Sequence, residues 1–263
     1  MLKRELKVNL KSFIIWTILV IGVYLLVFTI YPTISSNENI KMIDQMIEIF
    51  PEEVIKAFNM DIASIDTAFG WLKTEGFIFI MLITGAYAGI LGSSILLKEE
   101  DDKTIEYLNS LPITRNKIVT DKVLVSLFYI VLMVLIIGIF NYLGLLYNGD
   151  FNKKEFILLS ITPLFPSLVI YSICLFISTF TNKTKKTLGI SLGIVFVSYV
   201  LQMISGISED VEFLKYFSIF SLADTRNVIM NVEINPLLIW VTILITTIFI
   251  GLSYIKYNKK ELL

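Results

Sequence analysis

The chain has 263 residues, 56% of them apolar and 17% charged, a balance that excludes an ordinary water-soluble globule and points to lipid as its solvent. It contains no histidine, which removes histidine general bases, Ser-His-Asp and Cys-His nucleophiles and the HExxH metal motif together. Its single cysteine, Cys174, excludes an intrachain disulfide framework and a zinc cysteine cluster, so neither a catalytic nor a metal-ligating residue is assigned.

At the N-terminus, Leu2, Leu6, Leu10 and Phe13 recur at helical spacing while Lys3, Arg4, Lys7 and Lys11 take the remaining surface. This pattern fits a short helix lying in the membrane interface, or a basic flank that only sets topology. The apolar run from Phe13 to Tyr31 is too long for a signal-peptide core and no small-x-small cleavage site follows it, so it reads as a retained first span.

Six charge-free runs follow one another: Ser12–Asn37, Gly76–Leu97, Val123–Gly149, Phe156–Asn182, Thr187–Ser208 and Ile234–Ile255. Roughly 20 apolar residues cross the hydrocarbon layer, and backbone groups in lipid are satisfied within a helix. The expected spans are therefore about 12–33, 76–97, 120–147, 156–181, 187–206 and 235–255. The fold class is an all-α integral membrane protein, a single transmembrane domain over residues 1–263. Met1–Lys11, Lys98–Lys122, Lys183–Lys186 and Lys256–Leu263 hold 15 of the 22 Lys and Arg residues. The positive-inside rule then puts both termini in the cytoplasm.

Two external segments are not featureless. In the segment 38–73, Ile40, Ile43, Ile47 and Phe50 keep a helical period and Pro51 is placed to open a second helix, a pair suited to capping the outer mouth of the spans. In 209–233, Phe213, Phe217, Ile219 and Phe220 lie among scattered charges, as expected of an interfacial or partly re-entrant helical piece.

Within the spans, Gly85, Gly89 and Ser93 align at four-residue spacing, as do Gly189 and Gly193, which makes both faces candidates for close helix packing inside one protomer or between two. Pro163 and Pro166 should bend the fourth span. Asn141 and Gln202 either line a path or hydrogen-bond between helices. None of the six runs contains an ionisable Asp, Glu, Lys, Arg or His, which disfavours transport driven by an ion gradient. No P-loop motif occurs, so an active transporter of this sequence needs a separate ATPase.

The connection Lys98–Lys122 carries the most information. Four consecutive acids, Glu99, Glu100, Asp101 and Asp102, precede an expected short helix over about 103–109 whose Ile105 and Leu108 offer an apolar face; Pro112 ends it and Thr114 can cap the next helix. The stretch Glu99–Arg115, with Thr104, Ile105, Glu106, Tyr107, Leu108, Ser110, Pro112, Thr114 and Arg115, resembles the E-E-x-x-G-T-x-E-x-L-x-S-x-P-x-[ST]-R pattern of ABC-2 type permeases, the membrane subunits of ABC exporters. Lys103 stands where that pattern has glycine, and the closing Lys259-Lys260-Glu261-Leu262 is similar to the family's basic-acidic-Leu ending.

The resemblance implies an ABC-2 (type V exporter-like) fold of six transmembrane helices with an N-terminal interfacial helix and external helical segments. It implies a coupling segment at 98–118 that docks on a cytosolic ABC ATPase through Glu99, Glu100, Asp101, Asp102, Thr104, Ile105, Glu106, Tyr107, Leu108, Pro112 and Arg115. It also implies no cofactor in this chain, ATP and Mg on the partner ATPase, and a second permease subunit in a homo- or heterodimer. Lipid is then the surrounding partner, nucleic acid is not one, and the location is the plasma membrane of a bacterium. The apolar interior suits efflux of an amphipathic substrate such as a peptide antibiotic, drug or lipid. The alternative is a non-transporting membrane immunity or scaffold protein.

Overall fold

The structure, a computed structural model, describes residues 1–35, 67–106, 112–148 and 151–260. The expected helix pair in the first external segment, the coupling residues Tyr107 and Leu108, and the end of the closing Lys-Glu-Leu sequence fall outside the described residues.

The helices are α1 (Leu2–Ile34), α2 (Ala68–Trp71), α3 (Phe77–Ile95), α4 (Lys98–Asp101), α5 (Arg115–Asn148), α6 (Lys153–Ile161), α7 (Leu164–Ser178), α8 (Thr184–Ser205), α9 (Thr225–Asn231) and α10 (Pro236–Lys259). A π-turn, Leu72–Gly76, joins α2 to α3, and two 3-10 segments, Glu209–Phe217 and Ile219–Ala223, precede α9. No strand occurs among the described residues. Six stretches are long and apolar enough to cross a membrane: α1, α3, α5, α6 with α7, α8 and α10.

Local sequence explains several boundaries. Asn235 accepts a hydrogen bond from Leu237 N at 3.0 Å and Pro236 takes the first helical position, where its missing N–H has no cost. Asn152 caps α6 by accepting from the N–H groups of Lys154 and Glu155. The fourth span breaks at Thr162-Pro163, as the proline predicts, whereas Pro166 lies in the first turn of α7, where no intrahelical donor is lost.

The N-terminal stretch differs from expectation. The amphipathic residues and the first span form one continuous helix of 33 residues, not an interfacial helix followed by a span. Nothing between Lys7 and Phe13 breaks the pattern, since that stretch has neither Gly nor Pro. At 1.5 Å per residue α1 and the 34-residue α5 are each about 50 Å long, well beyond the roughly 30 Å hydrocarbon layer. Both therefore extend past the membrane core, and they pack along each other.

The core is centred on α7, which packs against α3, α10, α8 and α5. Ile170, Tyr171, Cys174 and Leu175 are fully buried there. Gly92 permits the close approach of α3, because a Cβ at that position would stand 2.4 Å from the Tyr171 carbonyl oxygen. Gly85 and Gly89 also face neighbours, Phe220 and Ile170 for the first, Ile170, Ser191 and Val195 for the second, and Ser93 is buried beside them. Gly189 and Gly193 differ: among the described residues no other element comes within 4 Å of a Cβ at either.

The segment 209–233 is helical, as expected, but it is not one continuous helix. It is built of the two 3-10 segments and α9, and its second segment packs on α7 and α8. Ser198 of α8 anchors it, its hydroxyl accepting from Ile219 N at 2.7 Å while Ser218 Oγ donates to the Ser198 carbonyl at 2.7 Å. The Phe220 ring sits in the notch left by Gly85.

Candidate functional site

Met1, Lys260 and the connections 98–106, 112–115 and 179–183 meet at one end of the bundle, an end rich in cations. The organising group is Lys122 of α5, whose side chain is 0% exposed. Its Nζ donates to the Ile95 carbonyl at 2.6 Å and to Glu99 Oε2 at 2.8 Å, and Glu5 Oε2 of α1 lies 3.4 Å away. A side-chain nitrogen buried this deeply needs oxygens in place of its water, and here three stand around it. Arg4 adds a second cation 3.9 Å from Glu99.

The neighbouring acids turn to other elements. Glu100 Oε1 accepts from Lys260 Nζ at 2.7 Å, and the same ammonium donates to the Thr181 carbonyl at 2.7 Å. Burial pushes the Glu100 carboxyl above the usual carboxylate range, and the Lys260 ammonium opposes that shift. Asp101 Oδ2 accepts the backbone N–H of Thr184, the first residue of α8, at 3.2 Å. Arg115, at the end of the motif, donates through Nη1 to the carbonyls of Lys260, Asn258 and Tyr257 at 2.7, 3.0 and 3.4 Å, satisfying the open C-terminal turn of α10. Thr114 caps α5, accepting from Lys117 N at 3.3 Å.

The backbone between these acids and Ile105 is a defined helix stop. Lys103 N donates to the Glu100 carbonyl and Thr104 N to the Glu99 carbonyl at 2.8 Å, the hydrogen-bond pair of a Schellman turn. That geometry needs a left-handed residue, and Lys103 supplies it with φ 53°. The turn is therefore made although lysine stands where the resembling pattern has glycine.

The acids consequently form a helical turn of their own, α4, before the left-handed Lys103; Ile105 and Glu106 are again helical, and the rest of the helix expected over about 103–109 lies outside the described residues. Ile105 also departs from expectation. It is 3% exposed and packed in the chain's own core, so it presents no apolar face to a partner. Asp102, Lys103, Thr104, Glu106 and Pro112 are exposed.

The two polar groups of the spans are not brought together. Asn141 is 2% exposed, lies by the Tyr24 hydroxyl, and borders, with Phe77, Ile80, Gly138, Ser160 and Pro163, a gap that leaves no room for a water molecule. Gln202 does not line that gap. A second, more open cleft of about 360 Å³ runs along α8, bordered by Ile190, Gly193, Val197, Leu201, Phe217 and Ile219.

A protein-family model described as ABC-2 family transporter protein matches residues 1–262. The chain belongs to the ABC-2 transporter family. This ABC-2 protein is accordingly a multi-pass membrane protein and a permease subunit, a type of chain generally not catalytic itself, and its family implies association with ABC ATPases. A search of curated proteins found no match.

Sequence reasoning about this ABC-2 subunit missed Lys122, Glu5 and Lys260. Each was counted only toward topology or net charge. Glu5 had a usable signal, being the lone acid among the four cations of residues 1–11, where an acid has no topological purpose.

Proposed function

We propose that the chain is the transmembrane permease subunit of an ATP-driven exporter, that residues 98–118 are its ATPase-coupling segment, and that the cation-rich end faces the cytoplasm of a bacterial cell. The observation that carries this reading is the Lys98–Glu106 turn: it is fastened from behind by Lys122, Lys260 and the start of α8, and it turns Asp102, Lys103, Thr104 and Glu106 outward. A projecting turn on a rigid base is what a moving partner needs in order to push on helices. ATP and Mg are then held on the partner ATPase.

A second permease subunit, the same chain or another, would complete the substrate path. The open apolar faces of α8 and α10, with Phe196, Val197, Trp240 and Leu244 exposed, are suited to such a subunit or to lipid. The lack of ionisable residues in the central runs fits an amphipathic cargo, of the peptide-antibiotic, drug or lipid kind.

The test is purification from the native membrane in mild detergent, with identification of the chains that come along. A P-loop ATPase retained by the wild-type chain and lost with Asp102→Lys plus Glu106→Lys supports the reading. Both positions are exposed, so the pair changes surface and not core. No ATPase in either preparation would move the assignment to a non-transporting immunity or scaffold protein.

A further inference from the structure

Three consecutive acids, Glu99, Glu100 and Asp101, reach three different parts of the bundle. Glu99 bonds Lys122 of α5 and lies near Arg4 of α1. Glu100 bonds Lys260 at the end of α10, and through that ammonium the Thr181 carbonyl between α7 and α8. Asp101 bonds the first N–H of α8. Since α3 leads directly into this turn, every spanning helix is tied to it by a polar contact, by one link through Lys260, or by the chain itself.

We infer that Glu99, Glu100 and Asp101 are positioning residues, a three-way distributor that carries a displacement of the turn separately to α1 with α5, to α10, and to α8, while docking falls to Asp102, Lys103, Thr104 and Glu106. This rests on the exporter reading and divides its coupling segment in two. For Glu99 and Glu100 the division follows from burial, and for Asp101, which is exposed, from its bond to the first N–H of α8. Glu99 and Glu100 are nearly inaccessible and have cationic partners in their own chain, so an ATPase could engage them only by breaking those pairs and leaving Lys122 or Lys260 uncompensated. Among the described residues, the side chains of Asp102, Lys103, Thr104 and Glu106 have no such commitment. Ion pairs between separate rigid elements are one of the physical networks that carry coupling through discrete arrangements.

The experiment uses the full chain purified with its ATPase, carrying Tyr216→Cys as an outer-end reporter. Tyr216 is 80% exposed at the far end of the bundle, and the native Cys174 is fully buried and so silent to maleimide. The reading is the change in maleimide labelling rate at position 216 when the ATPase is trapped with ATP, magnesium and vanadate. Glu100→Lys and Lys260→Glu each should cut that nucleotide-dependent change about fivefold or more while the ATPase still co-purifies. The combined Glu100→Lys plus Lys260→Glu chain, which restores the pair in reverse, should recover most of it. Asp101→Asn, which keeps an oxygen for Thr184 N, should retain the response that Asp101→Ala loses.

Three results overturn the inference. They are release of the ATPase by Glu100→Lys, an undiminished response in both single charge reversals, and a reversed pair no better than its parents. A wild-type preparation without any ATPase overturns the exporter reading as well, and is told apart from those three because it needs no substitution.

Discussion

The two ends of the bundle are held by different forces. At the cation-rich end Lys122, Lys260, Arg115 and three acids fix the helix ends through directional contacts of 2.6 to 3.4 Å. At the opposite end one ion pair, Lys73–Glu155 at 2.9 Å, stands among described residues otherwise fastened by rings and notches: Phe220 against Gly85, and Phe69, Tyr142, Phe151 and Phe156 with centroids 5.5 to 6.2 Å apart. Apolar packing tolerates small adjustments and fails gradually, whereas a buried ion pair is either made or broken. A device that must move in steps is better served by the first kind of end, and a closure that must only hold by the second.

The sharpest way to break this comparison is Lys122→Met. It leaves Glu99 and Glu5 buried without their ammonium and should cost about 3–5 kcal/mol, read as thermal unfolding in detergent. A loss no larger than that of an average core substitution would mean the cluster is hydrated and the contrast false. At the other end Gly85→Val forces the Phe220 ring and Ile170 from positions already 3.0 and 3.2 Å from a single added Cβ, with an expected cost of about 1–3 kcal/mol in the same assay. Gly193→Ala, with nothing nearby, should be neutral or stabilising by up to about 1 kcal/mol.

Ser198→Ala removes the acceptor for Ile219 N and should cost about 1–2 kcal/mol, with hydrogen exchange rising first at residues 218–223. Lys103→Gly relieves a left-handed lysine and should stabilise the turn by about 1 kcal/mol. The smallest expected effect is in pH dependence. Because the folded-state pKa of Glu100 is raised, the folded chain binds that proton more tightly than the unfolded one. Its contribution to stability therefore falls as pH rises from the ordinary carboxylate value to the raised one, and Glu100→Gln should flatten the slope in that window. An unchanged slope would show that Lys260 fully offsets the burial.

Much of the fold was legible because lipid imposes one rule on every span. Six charge-free runs predicted six crossing helices, and Pro163 predicted the break in the fourth. The ends were less legible: α1 and α5 continue well past their apolar runs, and charge-free length says nothing about where a helix stops in water. For the site, the motif located the right segment but not the direction of its side chains. Ile105 reads as a docking face by spacing alone, yet the left-handed turn at Lys103 rotates it into the core. Lys122 was hidden for a related reason. One lysine just before an apolar run looks like any topological cation until the carboxylates from residues 5 and 99 are brought to it in space.

The π-turn at Leu72–Gly76 has its own consequence. Phe77 N donates to the Leu72 carbonyl five residues back, so this stretch holds one residue more than an α-helical turn needs. Gly76 makes room there for the Leu72 side chain, which a Cβ would meet at 2.6 Å. Removing a single residue from 72–76 would let Ala68–Ile95 wind as one regular helix, turning everything before the deletion by about 100° relative to everything after it. Phe69 would leave its ring cluster and Lys73 its partner Glu155, so the phase of the second span relative to α2 is set by this one supernumerary residue.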